Sequence, residues 1–238
     1  MFLVLVVAVQ LLFATIADAF DWTLSGPGNT FTSFTCTLTV PPVPQRPTSG
    51  DATYFYWPGL QSVRNSSTFA PIGFGVLQPV LTFGPSCTPN KPPNTSVYRG
   101  WHISAQYVNP TGTVAGYKGC LGGNMMDVAP GDNLQMSLVL QGSTWVQTVV
   151  RSGVACSGPG SGLASPNGCT VSFSMDMKGQ AQPRAELVLE LYYQAVVTSD
   201  VTFSNIQLQI KNPEPASSTR FCTPTSRLQV GELVREWS

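Results

Sequence analysis

Apolar and polar residues alternate in short runs along most of this chain, and a period of two marks half-buried β-strands. Leu134, Met136, Leu138 and Leu140 share one face of such a run, with Asn133, Gln135, Ser137 and Val139 on the other. Between Ala185 and Tyr193, the set Leu187, Leu189, Leu191 and Tyr193 is expected to face a core, leaving Glu186, Val188, Glu190 and Tyr192 on the opposite face. His102, Ser104 and Gln106 form the polar set of the run 101–107, and in 75–83 Gln78 and Thr82 oppose Leu77, Leu81 and Phe83. Helical periodicity is nearly absent. Glycine (22) and proline (20) fall between the runs, as turns do in an all-β fold. Sheets with one apolar and one polar face predict an antiparallel sandwich whose outer or concave side holds a ligand.

The chain opens differently. Phe2 to Ile16 is apolar with hardly a break and runs into Ala17-Asp18-Ala19, the small-x-small pattern cut by signal peptidase. Residues 1–19 therefore read as a secretory signal with Phe20 as the mature N-terminus, and the protein is expected to be extracellular. The apolar run is shorter than the roughly 20 residues that span a bilayer, and no later segment reaches that length, so no membrane association is expected. What remains fits one domain. We place a β-sandwich domain at 20–212 and a linker and tail at 213–238. In the tail, Leu228, Val230, Leu233, Val234 and Trp237 suit a last strand or a short helix equally. Pro85, Pro89, Pro92 and Pro93 mark 85–98 as loop.

Twelve basic and twelve acidic residues, with no block of like charge, give no means of capturing nucleic acid or an anionic membrane electrostatically. A monomer is expected, with neither nucleic acid nor membrane as a partner. The six cysteines, Cys36, Cys87, Cys120, Cys156, Cys169 and Cys222, all follow the leader, and an even count in a secreted chain implies disulfides. The expected pairs are Cys156–Cys169 across a Gly/Pro/Ser-rich loop, Cys87–Cys120, and Cys36–Cys222. With no C-x-x-C pair, and His102 the only histidine, no metal is expected, and no cofactor. Asn65-Ser66-Ser67 and Asn94-Thr95-Ser96 are N-glycosylation sequons.

The same scarcity narrows the catalytic options. A Ser-His-Asp triad would have to use His102, and no G-x-S-x-G elbow precedes a helix. The Gly-rich stretch Gly158-Pro159-Gly160-Ser161-Gly162 lies between cysteines in a loop rather than in a βαβ unit, so it is no phosphate cradle. Carboxylates and carboxamides on a polar sheet face remain. A glutamate within an otherwise apolar strand is costly unless it is solvated, paired or functional.

Six segments, in order, resemble the eqolisins, secreted glutamic peptidases with a lectin-like sandwich of two antiparallel sheets. They are Phe34-Thr35-Cys36-Thr37-Leu38-Thr39-Val40-Pro41, Trp57-Pro58-Gly59-Leu60-Gln61, Val76-Leu77-Gln78, Gly131-Asp132-Asn133-Leu134-Gln135-Met136-Ser137, Ala185-Glu186-Leu187-Val188-Leu189-Glu190 and Val201-Thr202-Phe203-Ser204-Asn205. The resemblance implies a concanavalin A-like β-sandwich and an acid-acting, pepstatin-insensitive endopeptidase with a peptide or protein substrate. It also implies a catalytic pair, Gln78 and Glu190, with Trp57 as a wall of the substrate cleft. Gln61 stands where the family has an aspartate, and Ser104 and Gln106 where it has Trp and Glu; these three positions are expected to line the substrate site. Two further readings fit the same residues: a non-catalytic lectin-like module stacking sugars on Trp57, Trp101 and Trp145, and a sandwich glycosidase using Glu186 and Glu190. In the second, Val188 stands where β-glucanases carry an aspartate between the two glutamates.

Overall fold

The computed structural model describes residues 20–25, 31–45, 52–62, 71–89, 100–153, 169–193 and 195–211. The alternating runs become eleven strands, and all the pairings are antiparallel. They are β1 (Phe20–Ser25), β2 (Phe31–Thr39), β3 (Thr53–Gln61), β4 (Val76–Phe83), β5 (Trp101–Asn109), β6 (Gly119–Val128), β7 (Asn133–Gln141), β8 (Thr144–Ser152), β9 (Thr170–Asp176), β10 (Arg184–Tyr192) and β11 (Thr202–Ile210). One sheet has six strands in the order β1-β10-β3-β4-β5-β6, and the other has five in the order β11-β2-β7-β8-β9.

Between the sheets lies one core. The larger sheet supplies Ala185, Leu187, Leu189 and Leu191, with Leu60, Leu77, Leu81, Ile103 and Tyr107; the smaller supplies Phe34, Leu38, Leu134, Met136, Leu138 and Val149. The faces follow the sequence alternation, with one exception. Tyr193, expected in the core, lies past the end of β10 at φ 55° and is 65% exposed. The chain has left the pleat there, so parity no longer governs its side chain. Trp101 and Trp145 are buried inside the core, which removes them as stacking platforms for a sugar.

Cys87 and Cys120 are bonded, Cα to Cα 5.9 Å, tying the turn after β4 to the start of β6. Cys36 departs from expectation: it is a free thiol. Its parity on β2 sets it between Phe34 and Leu38 and opposite Met136, facing the other sheet. It behaves there as a small hydrophobe, and burial pushes its thiol up to about 12. Cys169 is disulfide-bonded, with its partner outside the described residues. Cys156, Cys222, Asn65, Asn94, the leader and the tail also lie outside them.

Candidate active site

The outer face of the six-stranded sheet carries the polar residues singled out in the sequence. Cross-strand register sets them in rows. Glu186 of β10 lies opposite Gly59 of β3, and Glu190 opposite Phe55. On the next interface, Phe55 faces Thr82 and Gln61 faces Val76, while Gln78 of β4 faces Gln106 of β5. The β3–β4 pairing stops after Tyr56–Leu81 and resumes in the same register at Leu60–Leu77. That break has a covalent cause. Pro58 and Pro79 fall opposite each other within it, and neither has an N–H to give the ladder.

Carried across the break, the register sets Gly59 beside Gln78. One row therefore reads Glu186, Gly59, Gln78, Gln106, with Gly59 the only residue between the carboxylate and the carboxamide. Two interstrand spacings separate the Cα atoms of Glu186 and Gln78, about 10 Å. The space above Gly59 between them is taken by the indole of Trp57 and a methyl of Val76. A Cβ on Gly59 would come within 2.7 Å of Trp57 Cζ3 and 2.9 Å of Val76 Cγ1, and Trp57 Nε1 donates to Glu190 Oε2 at 3.3 Å. The ring thus extends from the Glu186–Gln78 row to Glu190, packed on Val80 and Val188. Gly59→Ala should displace it at a cost of about 1–3 kcal/mol, typical of overpacking, seen as a lower denaturant midpoint together with a change in tryptophan fluorescence.

The two glutamates have different surroundings. Burial pushes the Glu186 carboxyl up, and its ion pair with Arg184 Nε pulls it back. Arg184 also donates to Thr23 Oγ1 of the edge strand β1 at 3.4 Å and lies 4.0 Å from Asp21. Burial raises Glu190 as well, opposed only by the Trp57 hydrogen bond. Gln78, 6% exposed, has its Oε1 buried without a hydrogen-bond partner among the described residues, as do the hydroxyls of Thr82 and Ser104. Gln106 is engaged: its Nε2 donates to Thr88 Oγ1 at 3.1 Å, and its carbonyl accepts from Gln147 Nε2 at 2.8 Å.

The structure thus gathers Trp57, Gln61, Gln78, Ser104, Gln106, Glu186 and Glu190 on one face. It does not set Glu190 level with Gln78. The offset is four residues along the strand, about 13 Å, in addition to the two interstrand spacings. Glu186 and Glu190 stand four residues apart on β10, one held by Arg184 and the other by Trp57, and the charge of Glu190 adds to the rise at Glu186. Sequence reasoning missed Arg184, although it shares the parity of Glu186 and precedes it by one same-face step.

No family model matches the chain, and no curated protein matches it in sequence. Among solved structures it is similar to scytalido-glutamic peptidase with a transition-state analogue inhibitor, at 14% identity and a TM-score of 0.48 over 81% of this chain and 80% of that one. A second structure of that peptidase, with a peptide-based transition-state analogue, gives 16% identity and a TM-score of 0.42 over 81% and 74%. SCP-B, a member of the eqolisin family of peptidases in complex with a tripeptide, gives 15% and 0.40 over 81% and 74%. At these identities the similarity concerns the architecture, a sandwich of two antiparallel sheets.

Proposed function

We propose that this protein is a secreted glutamic endopeptidase, hydrolysing peptide bonds in acid with Glu186 as general base and Gln78 as its carboxamide partner. The carrying observation is the row Glu186, Gly59, Gln78, in which only a glycine, with the Trp57 indole against it, separates the carboxylate from the carboxamide. A water between the two groups gives its proton to the Glu186 carboxylate as its oxygen attacks the scissile carbonyl carbon. The Gln78 amide donates an N–H to the oxyanion that forms. Glu186, now a carboxylic acid, passes the proton to the leaving nitrogen as the C–N bond breaks, which returns the carboxylate. Neither step needs a histidine. Arg184 holds Glu186 in place and favours its ionised form against the cost of burial.

The acidic working range comes from the family resemblance; the geometry adds the limit on its acid side. A base must be ionised, so the rate falls as pH drops through the burial-raised titration of Glu186. The Cys87–Cys120 bond suits the oxidising exterior that the leader implies. The test is hydrolysis of denatured protein by the purified chain from about pH 2 to about pH 7, with and without pepstatin. We expect pepstatin-insensitive cleavage. A failure to cleave at every pH overturns the proposal.

A further inference from the structure

Gln78 Oε1, Ser104 Oγ and Thr82 Oγ1 are buried without hydrogen-bond partners among the described residues, and the residues that carry them are neighbours. Gln78 and Thr82 flank Val80 on the outer face of β4, and Ser104 of β5 lies directly opposite Val80. Ser104 is therefore the diagonal cross-strand neighbour of both, a spacing that a long side chain spans. What else surrounds Ser104 is apolar or engaged elsewhere. Met125 faces it from β6, Gln106 donates to Thr88, and His102 is hydrogen-bonded to the Gly100 backbone. Asp127, diagonal to it on β6, is raised by burial with no hydrogen bond opposing the shift. The donors and acceptors match. A carboxamide oxygen only accepts, whereas each hydroxyl gives one hydrogen bond and takes others.

We propose that Ser104 is a positioning residue for the carboxamide: its hydroxyl donates to Gln78 Oε1, directly or through one buried water, and accepts from the hydroxyl of Thr82. Buried polar atoms left bare forfeit their hydration without return, and a water shared among them restores it. The orientation matters because the two ends of a carboxamide have the same shape and opposite chemistry. With Oε1 drawn inward, the N–H groups are turned toward a bound peptide; flipped, the amide presents a lone pair to the oxyanion. Ser104 is 0% exposed, so it acts from behind the site rather than lining it. Its effect on hydrolysis rests on the reading of Gln78 as the oxyanion donor, and is the same whichever glutamate is the base.

The first probe is the pair of side-chain N–H signals of Gln78 in an amide NMR spectrum of the intact protein without substrate, identified by their loss in Gln78→Ala. In the wild type the pair should be displaced from the position of a free glutamine, and in folded Ser104→Ala it should move toward that position. A pair that Ser104→Ala leaves in place overturns the proposal. So does a wild-type crystal structure in which neither Ser104 Oγ nor a water bound to it reaches Gln78 Oε1, and that needs no variant to fold. On an uncharged peptide, Ser104→Ala should lower kcat on the order of tenfold and leave KM within about twofold. In the Gln78→Ala background the same change should alter kcat by less than about twofold. An equal loss in both backgrounds overturns the proposal, because a merely structural serine acts whether or not the carboxamide is there. A pair that moves in a protein that cleaves nothing upholds the positioning and sinks the peptidase; cleavage with an unmoved pair does the reverse.

Discussion

Glu186→Gln abolishes peptide-bond hydrolysis, while Glu190→Gln slows it by no more than about tenfold. Both substitutions keep the shape of the side chain and remove only the charge, so the contrast isolates the base. Without the Glu186 carboxylate nothing in the row accepts the proton of the attacking water, because Gln78 is a neutral amide and Gln106 is committed to Thr88. Glu190 lies four residues along the strand from that row, about 13 Å in this register. Gln78→Ala should lie between, with a loss on the order of 10² to 10³ in turnover, the usual effect of removing one oxyanion donor. Initial rates on one uncharged peptide substrate, with melting curves to exclude unfolding, decide the order. If Glu190→Gln is the inactive variant and Glu186→Gln is not, Glu190 is the base and Glu186 is not. If the wild type cleaves β-glucan rather than peptides and both variants lose that cleavage, the two carboxylates work together as in a glycosidase.

The choice between those glutamates shows what a linear pattern conveys. Alternation gives the face of a residue, and on that count Gln78, Ser104, Gln106, Glu186 and Glu190 were legible, whereas Trp57 and Gln61 came from the family resemblance. It does not give the row. Rows depend on the register of β10 against β3 and of β3 against β4, set by pairing between strands more than 100 residues apart in sequence for the first of these. Had Pro58 and Pro79 been read together, two prolines in interior strands would have signalled a break in the ladder, with Gly59 and Gln78 beside it. Burial was misjudged for a related reason. His102, Ser104 and Gln106 read as a solvated face, yet all three are buried on the outer side of the sheet, where Thr88 after β4 lies against Gln106. Cys36 failed through counting: parity favoured a core thiol, whereas an even number of cysteines favoured a bond.

His102 should make the folded state lose stability in acid, by about 3 kcal/mol between its unfolded and folded titrations. The ring is 1% exposed, and desolvation holds its pKa down at about 4, against an ordinary 6.5, with a hydrogen bond to the Gly100 backbone opposing the shift. As pH falls through 6.5 the unfolded chain takes a proton that the folded chain refuses until about 4, so stability present at neutral pH is lost across that interval. The buried carboxyls act in the opposite sense. Glu186, Glu190 and Asp127, which lies across from His102 on β6, are all raised chiefly by burial. Each takes its proton in the folded state first, so stability is gained as pH falls through its raised value. In His102→Gln that loss is removed, so between pH 6.5 and about 4 its denaturant midpoints should fall less, or rise more, than those of the wild type. Parallel curves for the two proteins would mean that the imidazole is protonated in the folded state after all. The same balance bounds the chemistry, because a base that stops working below its burial-raised titration sits in a fold that His102 also weakens as pH falls.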